Sequence, residues 1–427
     1  LEHPDVPESS LTLQTRAAVP ARSLPLALGR SLPLLVLAGL LAAAAWMAAE
    51  AGGWRLAVLL LVGGGLGFAL YRSGFGFAGP WRALLVERRG RGFRAQLALL
   101  AALTVLFFPL LSAGEAFGQP LTDLVRPVGV ALLAGAFLFG LGAQLASACS
   151  SGSLAGLGNG KLRYLIVVAF MVVGATLGSA HFGWWETQAS WFSFSLLGEW
   201  GPAAGIAGNL TLLAALAAIS VWLERRRHGR VLRAEARDYH FLRGPWRLSW
   251  GVAVIALLCL ATLLLAGRPW VIIAALPLWG AKLIGASGIP LDVAFWEYWG
   301  ADARIMALES SLWTDVTTLM IAGLVLGTAL AAALAGALRW HWRIAPTEAL
   351  TAAVGGLLLG YGGLVGMGCN IGAFLGGISS GSVHGWVWLL AAFAGTAAGV
   401  AIRSLASRLR SPARVAGKKQ RRLRSLS

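Results

Sequence analysis

Charged residues and cysteines are both scarce in this chain, and each scarcity excludes a class of protein. Charged residues make up 12% of the 427 residues, about half of the share that a soluble domain carries. Hydrophobic residues make up 57%, so a soluble fold would leave large apolar patches in water, and disorder is excluded. Only three cysteines occur, far apart in the sequence, which excludes a disulfide scaffold. The ATP-binding pattern Gly-x-x-x-x-Gly-Lys-Ser/Thr is absent, so primary pumping by this chain is not expected.

Long apolar runs dominate what is present. The mean hydropathy is +0.72, and the runs reach about twenty residues, the length that crosses a bilayer core. The runs are continuous and do not alternate with polar residues, as expected for helices and not for a membrane β-barrel. The sequence therefore predicts an all-α, polytopic membrane protein. Eleven spans are predicted, at 32–49, 54–71, 95–112, 124–146, 162–180, 204–223, 248–266, 270–286, 315–338, 348–366 and 386–402.

The distribution of charge predicts how the chain is organised. Lys and Arg number 35 against 18 Asp and Glu, a net charge of +17, and the excess lies between or beyond the spans. That placement indicates cytoplasmic segments in contact with anionic membrane lipid. The sequence has no basic face interleaved with aromatic residues, so nothing in it indicates binding to nucleic acid. The predicted parts are a cytoplasmic tail (1–30), a first transmembrane half (31–223), a basic cytoplasmic linker (224–247), a second transmembrane half (248–403) and a basic cytoplasmic tail (404–427).

One region conflicts with a simple count of spans. Residues 287–312 are acidic and aromatic, so we expect them on the external side. If 248–266 and 270–286 both crossed the membrane, this region would lie on the cytoplasmic side. One of the two segments therefore does not cross fully, and the sequence leaves open which.

The two halves carry a weak internal repeat. Five glycines and cysteines recur at one offset (369 − 149 = 220): Gly140, Gly142, Cys149, Gly152 and Gly156 match Gly360, Gly362, Cys369, Gly372 and Gly376. The basic residues predict that 124–146 runs inward and 348–366 outward. We therefore expect two inverted repeats with re-entrant, broken helices at the centre, a plan that recurs in transporters.

Two segments interrupt the apolar helices with Gly, Ser and Asn, at 147–160 and 366–386. Backbone of this kind is tolerated at membrane depth only where it is buried in protein or lines a cavity. Broken helix ends offer unpaired N–H donors that suit a small anion. The candidate substrate-binding residues are Cys149, Cys369, Ser150, Ser151, Gly152, Asn370, Gly372, Ser379, Ser380, Ser382, His384 and Lys282.

Several of these candidates have a competing structural interpretation. Glycines in membrane helices often serve close packing, and a lone buried cysteine such as Cys259 is usually inert. His384 has a structural or a functional role. Lys282 is a rare intramembrane charge, which indicates a functional residue, or its side chain reaches the membrane surface. An apolar setting favours the neutral thiol at Cys149 and Cys369, and a neutral thiol does not repel an anion.

Residues 368–374 (Gly-Cys-Asn-Ile-Gly-Ala-Phe) and 377–386 closely resemble the YeeE/YedE family, bacterial inner-membrane proteins of sulfur transport. Residues 149–152 (Cys-Ser-Ser-Gly) are similar to the matching motif of that family, and 71–79 to an early segment of it. The resemblance covers about 54–180 and 270–403. Where the early segment of the family usually has cysteine, this chain has Gly76, which leaves a three-thiol relay incomplete.

The resemblance implies a function and a place in the cell. It implies a transporter rather than an enzyme, in the bacterial inner membrane, carrying a thiosulfate-like anion through a central constriction lined by Cys149 and Cys369. The alternatives are transport of a selenium compound, a membrane-embedded sulfurtransferase that uses a cysteine persulfide, and a structural or regulatory membrane subunit. The expected partners are the small sulfur or selenium anion, membrane lipid and a cytoplasmic sulfur-carrier protein, with no cofactor and no metal.

Overall fold

The structure is a computed structural model that describes residues 28–232, 238–241, 244–339, 341 and 343–424. Residues 1–27 of the expected N-terminal tail, 233–237 and 242–243 of the expected linker, and 425–427 of the expected C-terminal tail lie outside the described residues.

The described chain is almost entirely helical. Its α-helices are α1 (Leu28–Gly52), α2 (Trp54–Ser73), α3 (Ala78–Arg82), α4 (Arg91–Ala113), α5 (Val130–Ala146), α6 (Ser150–Gly158), α7 (Leu162–Ala180), α8 (Phe182–Glu186), α9 (Leu196–His228), α10 (Leu248–Ala266), α11 (Ala275–Ala286), α12 (Asp302–Glu309), α13 (Val316–Leu334), α14 (Pro346–Val365), α15 (Gly377–Ser379) and α16 (Val383–Arg424). Two π-helices (Ala83–Glu87, Asn370–Gly376) and two 3₁₀-helices (Val293–Phe295, Glu297–Gly300) complete the helical part. Four short strands pair antiparallel in twos, β1 (Glu115–Ala116) with β2 (Gln119–Pro120) and β3 (Val128–Gly129) with β4 (Ser190–Phe192).

Ten helices in the described residues are long and apolar enough to cross a membrane. They are Pro33–Gly52, Trp54–Glu87, Arg91–Ala113, Val130–Gly158, Leu162–Ala180, Leu196–His228, Leu248–Ala266, Val316–Leu334, Pro346–Val365 and Val383–Ala406. The expected all-α, polytopic membrane fold is confirmed.

The segment 270–286 is the one predicted span that does not form a helix of membrane-spanning length. Its helix, α11, has 12 residues, whereas about 20 are needed to cross the hydrocarbon core. The segment 248–266 instead forms the 19-residue α10. If α10 crosses the membrane and α11 does not, 287–312 is expected on the side opposite the basic linker, in agreement with its acidic and aromatic composition. The helix lengths therefore favour 248–266 as the segment that crosses fully.

The equivalent helices α5 and α14 of the two halves contact each other through equivalent positions. A methyl group added at Gly142 of α5 would lie 2.8 Å from Leu358 Cβ of α14, and one added at Gly362 of α14 would lie 3.0 Å from Leu138 Cβ of α5. Both pairs of positions are related by the offset of the repeat (362 − 142 = 220 and 358 − 138 = 220). Reciprocal contacts of this kind are characteristic of an interface with two-fold symmetry.

The contacts also give the relative direction of α5 and α14. Gly135, near the beginning of α5, packs against the backbone of Gly366, just beyond the end of α14. Ala146, the last residue of α5, packs against Gly355 in the first half of α14. As the numbering rises along one helix it falls along the other. The two equivalent helices therefore run antiparallel.

The second half has one residue more than the first between its cysteine and the next long helix, which is α16 in the second half and α7 in the first. The first break is followed by the nine-residue α6, whereas the second is followed by a seven-residue π-helix and the three-residue α15. Beyond this point the offset of the repeat changes: Gly160 and Gly381 both turn with positive φ, 77° and 78°, at an offset of 381 − 160 = 221. The extra residue is accommodated as π-helix, a geometry that is often found at functional sites.

The second broken segment lies at the centre of the core. Residues 369–382 are all buried. Phe374, fully buried, packs edge to face against Trp81 at 5.8 Å and Phe77 at 6.1 Å between ring centroids. The early segment that contains Gly76 therefore packs directly against the segment that contains Cys369.

Candidate anion site at the two cysteine segments

The two cysteine segments, residues 147–160 and 366–386, begin with the same backbone path. Ser147 and Met367 are both left-handed, with φ of 63° and 59°, which is uncommon for residues other than glycine. Two residues later Cys149 (φ −84°, ψ −177°) and Cys369 (φ −88°, ψ −171°) each occupy the position that precedes a helix. Each thiol therefore stands at a helix N-terminus, where backbone N–H groups have no partner within the helix.

Both thiols are buried. Cys149 is 3% exposed and Cys369 is fully buried, and neither forms a disulfide. Cys149 Sγ lies 3.4 Å from Ser151 Oγ, and Cys369 Sγ accepts a hydrogen bond from the Ile371 amide at 3.4 Å. The two cysteines lie within electrostatic range of each other. The structure thus buries both thiols that the repeat predicts as a pair.

The residue after each cysteine has a polar side chain with no hydrogen-bond partner. Ser150 Oγ has none, and neither does the oxygen or the nitrogen of the Asn370 amide, although both side chains are fully buried. Leaving a buried polar group unsatisfied costs about 1–3 kcal/mol, and such groups are few in folded proteins. These two side chains are therefore available to a polar ligand beside the thiols.

Ser153 joins this set, although sequence reasoning missed it. Its hydroxyl is fully buried and also has no partner. It lies three residues after Ser150, so both hydroxyls are on the same face of α6. That spacing could have identified Ser153 as a site residue from the sequence.

The remaining predicted serines of the second segment already have hydrogen-bond partners within the protein. Ser379 Oγ donates to the Gly376 carbonyl at 3.2 Å, and Ser380 Oγ accepts from the Leu124 amide at 3.1 Å. Ser382 Oγ pairs with His384 Nδ1 at 2.7 Å.

His384 keeps one ring nitrogen unpaired, and the two predicted glycines have room around them. His384 Nε2 is buried without a partner, and a methyl group at Gly377 would lie 2.8 Å from it. A methyl group at Gly152 would lie 3.5 Å from Cys149 Sγ, and one at Gly372 would meet no atom closer than 3.5 Å. His384 therefore combines a structural bond through Nδ1 with an available ring nitrogen.

Lys282 lies in another part of the molecule from these groups. Its Nζ donates to the Ser310 carbonyl at 2.8 Å, between α11 and the segment that follows α12. Within the described residues no hydrogen bond links Lys282 to either cysteine segment. Cys259 is buried alone on α10.

Three buried amides that the sequence analysis did not single out support the site. Asn209 of α9 donates to Thr104 Oγ1 at 2.7 Å and to the Ile378 carbonyl at 3.1 Å, and it accepts from Trp386 Nε1 at 3.2 Å. Asn209 thereby holds the second cysteine segment in place through Ile378 and Trp386. Its presence in an apolar span was the signal that could have identified it.

Gln96 and Gln144 hold the early segment in the same way. Gln96 Nε2 donates to the Gly76 carbonyl at 2.8 Å, and Gln144 Nε2 donates to the Ala78 carbonyl at 3.2 Å. A methyl group at Gly76 would meet no atom within 4 Å. The position at which the resembling family has cysteine is therefore open space in this chain.

The described residues contain no group of three His, Cys, Asp or Glu side chains that could hold a metal ion. The fold and the site together define a class, that of a polytopic helical membrane protein whose buried interior holds thiols and unpaired polar groups, as transport proteins do. The sequence model of the family described as Sulphur transport matches residues 72–398, well over half of the chain. The chain therefore belongs to the Sulphur transport family.

Individual relatives agree with this assignment. Thiosulfate transporter TsuA of Spirochaeta thermophila is 26% identical over 331 residues, which cover 77% of this chain and 93% of the relative. Thiosulfate transporter TsuA of Escherichia coli K12 is 25% identical over 355 residues, 78% of this chain and 90% of the relative. The probable transporter YedE of Escherichia coli K12 is 30% identical over 132 residues, 31% of each chain.

These comparisons confirm several expectations. The family and the names of the relatives confirm a transporter rather than an enzyme. The protein is a multi-pass membrane protein. The bacterial sources of the relatives agree with the expected location in the bacterial inner membrane.

Proposed function

We propose that this protein carries a small sulfur-containing anion, thiosulfate or one very similar to it, through a central constriction at the two cysteine segments. The family is one of sulphur transport, and two relatives are named as thiosulfate transporters. The observation that carries the proposal is the repetition of one arrangement. A buried thiol precedes a helix and is followed by an unpaired polar side chain, Ser150 in one segment and Asn370 in the other.

The chemistry of this arrangement suits an anion that must both enter and leave. Helix N-terminal amides, hydroxyls and the Asn370 amide donate hydrogen bonds without carrying a full charge. A neutral thiol adds a weak donor and a soft, polarisable sulfur, which matches the terminal sulfur of thiosulfate better than an oxygen does. Stabilisation by neutral dipoles leaves the anion free to leave.

The scaffold that we propose is an inverted repeat. The reciprocal contacts of Gly142 and Gly362 support a two-fold relation between the halves, and the antiparallel course of α5 and α14 supports opposite orientations in the membrane. In such a scaffold the two cysteine segments approach the centre from opposite sides of the membrane.

The test is uptake of radiolabelled thiosulfate into vesicles from a bacterial strain that lacks its own importers. We expect Cys149→Ala and Cys369→Ala each to lower uptake about tenfold or more, because losing a hydrogen bond to a charged group costs about 1.5–3 kcal/mol. Cys259→Ala is the matched control, since it removes an equally buried thiol from α10. Equal uptake by all three variants would contradict the proposal.

The same vesicles separate the alternatives. In a sulfurtransferase one of the two thiols would attack the outer sulfur of thiosulfate, breaking its S–S bond and releasing sulfite. The thiol would become a persulfide, and the mass of the protein would rise by one sulfur atom. Growth of the strain on single sulfur or selenium sources distinguishes thiosulfate from a selenium compound. A cytoplasmic sulfur-carrier protein stays a predicted partner, which copurification from the native host tests.

A further inference from the structure

Two arginines meet at the end of α5, next to the first cysteine segment, and the proposed function does not yet use them. Arg403 Nη1 donates to the Gln144 carbonyl at 2.6 Å and to Ser147 Oγ at 2.8 Å. Arg163 Nη2 lies 3.5 Å from the same hydroxyl. Ser147 precedes Cys149 by two residues, so both guanidinium groups lie beside the thiol segment.

The charge at this place is not neutralised by any carboxylate. Arg82 and Arg163 both act electrostatically on Arg403. In the described part of the chain no carboxylate lies within 4.0 Å of any of these three side chains. Two like charges within electrostatic range of Arg403 repel it, and a bound anion relieves that repulsion.

Donor groups remain for such an anion. A guanidinium has five N–H groups, and Arg403 uses only Nη1 in hydrogen bonds within the described residues, which leaves Nε and Nη2. The Ser147 oxygen accepts from both arginines, so its own hydrogen is free to donate. Arg163 already caps α5, because its Nε and Nη2 donate to the Ala146 and Leu145 carbonyls and its Nη1 to the Glu348 carbonyl. It therefore contributes mainly charge to an anion here, and the free donors come from Arg403 and Ser147.

The corresponding place in the second half is chemically different. The offset between equivalent positions is 220 before the break and 221 beyond it. Ser147 therefore corresponds to Met367, Arg163 to His384 and Arg403 to Phe182. None of these three is a lysine or an arginine. The charge therefore breaks the symmetry of the scaffold, on the side on which the basic segments lie.

We infer that Arg163, Arg403 and Ser147 form a second binding station, specific for a small oxyanion of charge −2, on the cytoplasmic side of the thiols. The inference rests on the proposed function for its place in transport. The station recognises charge and oxygen atoms, since guanidinium groups and a hydroxyl offer N–H and O–H donors and no soft sulfur. Sulfate therefore binds there as thiosulfate does, whereas the thiols favour thiosulfate.

The test is protection of these arginines against phenylglyoxal in the full-length protein, with modification at each arginine followed by mass spectrometry. We expect thiosulfate and sulfate each to slow modification of Arg163 and Arg403 severalfold. Arg226, exposed on the last turn of α9, is the matched control and should react at an unchanged rate. Unchanged rates at Arg163 and Arg403, or equal protection by chloride at the same ionic strength, would overturn the inference.

Two variants distinguish a station from a simple helix cap and from failure of the proposed function. Arg403→Gln should weaken the protection of Arg163 and raise the KM for thiosulfate entering inside-out vesicles, and Arg403→Lys should restore part of both. If Arg403→Gln lowered thermal stability but left the protection of Arg163 undiminished, Arg403 would be only a helix cap and the inference would be wrong. Protection that persists in Cys149→Ala/Cys369→Ala, where transport is lost, supports the station independently. If thiosulfate protected Arg163 and Arg403 of the wild-type protein but was not transported, the proposed function would be wrong and the binding station would still be supported.

Discussion

Asn370 and Ser150 show how far individual residues could be assigned from the sequence. Their position after two repeated cysteines predicted a role at the site, and the structure finds both side chains buried and unpaired. The left-handed backbone at Ser147 and Met367 could not be predicted, because side chains other than glycine rarely adopt it. It depends on contacts that only the folded protein supplies, among them the two arginines at Ser147.

Replacing Asn370 by leucine should separate function from stability. The two side chains are similar in size, and the change removes a buried amide whose unpaired groups cost about 1–3 kcal/mol. We therefore expect the thermal midpoint in detergent to stay the same or rise, while thiosulfate uptake in vesicles falls about tenfold or more because a donor to the anion is lost.

The control for this change is Asn209→Leu, which removes an equally buried amide whose groups are all hydrogen-bonded. It should lower stability by about 1–3 kcal/mol. If Asn370→Leu destabilised the protein as much as Asn209→Leu, the view of Asn370 as a ligand-binding amide would be wrong.

The helices divide into those that hydropathy could predict and those that it could not. Ten predicted spans form helices of spanning length because each is a continuous apolar run. The segment 270–286 is equally apolar, yet its helix begins only at Ala275, after a turn that follows Arg268 and Pro269. Composition does not show where such a turn ends. The π-helix after Cys369 was likewise hidden, because a one-residue insertion has no signature in one sequence.

Glycines at the helix crossings should show the two-fold relation in their effects on stability. A methyl group at Gly140 would collide with the Ala392 carbonyl oxygen, and one at Gly360 with the Met171 carbonyl oxygen. Because backbone atoms cannot move aside as a flexible side chain can, Gly140→Ala and Gly360→Ala should each destabilise the protein by about 1–3 kcal/mol. The measurement is the thermal midpoint of the purified protein.

Gly39→Ala in α1 provides the comparison, since a methyl group there would meet no atom within 4 Å. We expect this variant to be as stable as the original protein, or slightly more stable because alanine favours helix. A large loss at only one of the two crossings would argue against equivalent contacts in the two halves.

The molecule as a whole combines reciprocal contacts between its two halves with an asymmetric charge. The contacts of α5 and α14 are reciprocal, and the two thiol segments share their backbone path. Two arginines lie at the Ser147 hydroxyl at the break after α5, whereas the three equivalent positions of the second half hold no arginine or lysine. In the arrangement that we propose, a thiol site followed by a cationic site on the cytoplasmic side would favour the inward position of a dianion. The sequence contained these charges, but only the folded chain brings Arg163 and Arg403 to the same hydroxyl.

The opposite orientation of the halves can be tested at two equivalent positions outside the membrane. Asp123 precedes α5 and Arg343 precedes α14, both are exposed, and they are related by the offset of the repeat (343 − 123 = 220). In an inverted repeat Asp123→Cys faces the external side and Arg343→Cys the cytoplasm. A membrane-impermeant maleimide should therefore label Asp123→Cys in intact cells and Arg343→Cys only in inside-out vesicles. The native cysteines are at most 3% exposed and should react slowly, which the unmodified protein controls. Labelling of both variants from the same side would show that the halves are parallel, and the two thiol segments would then enter the membrane from one face.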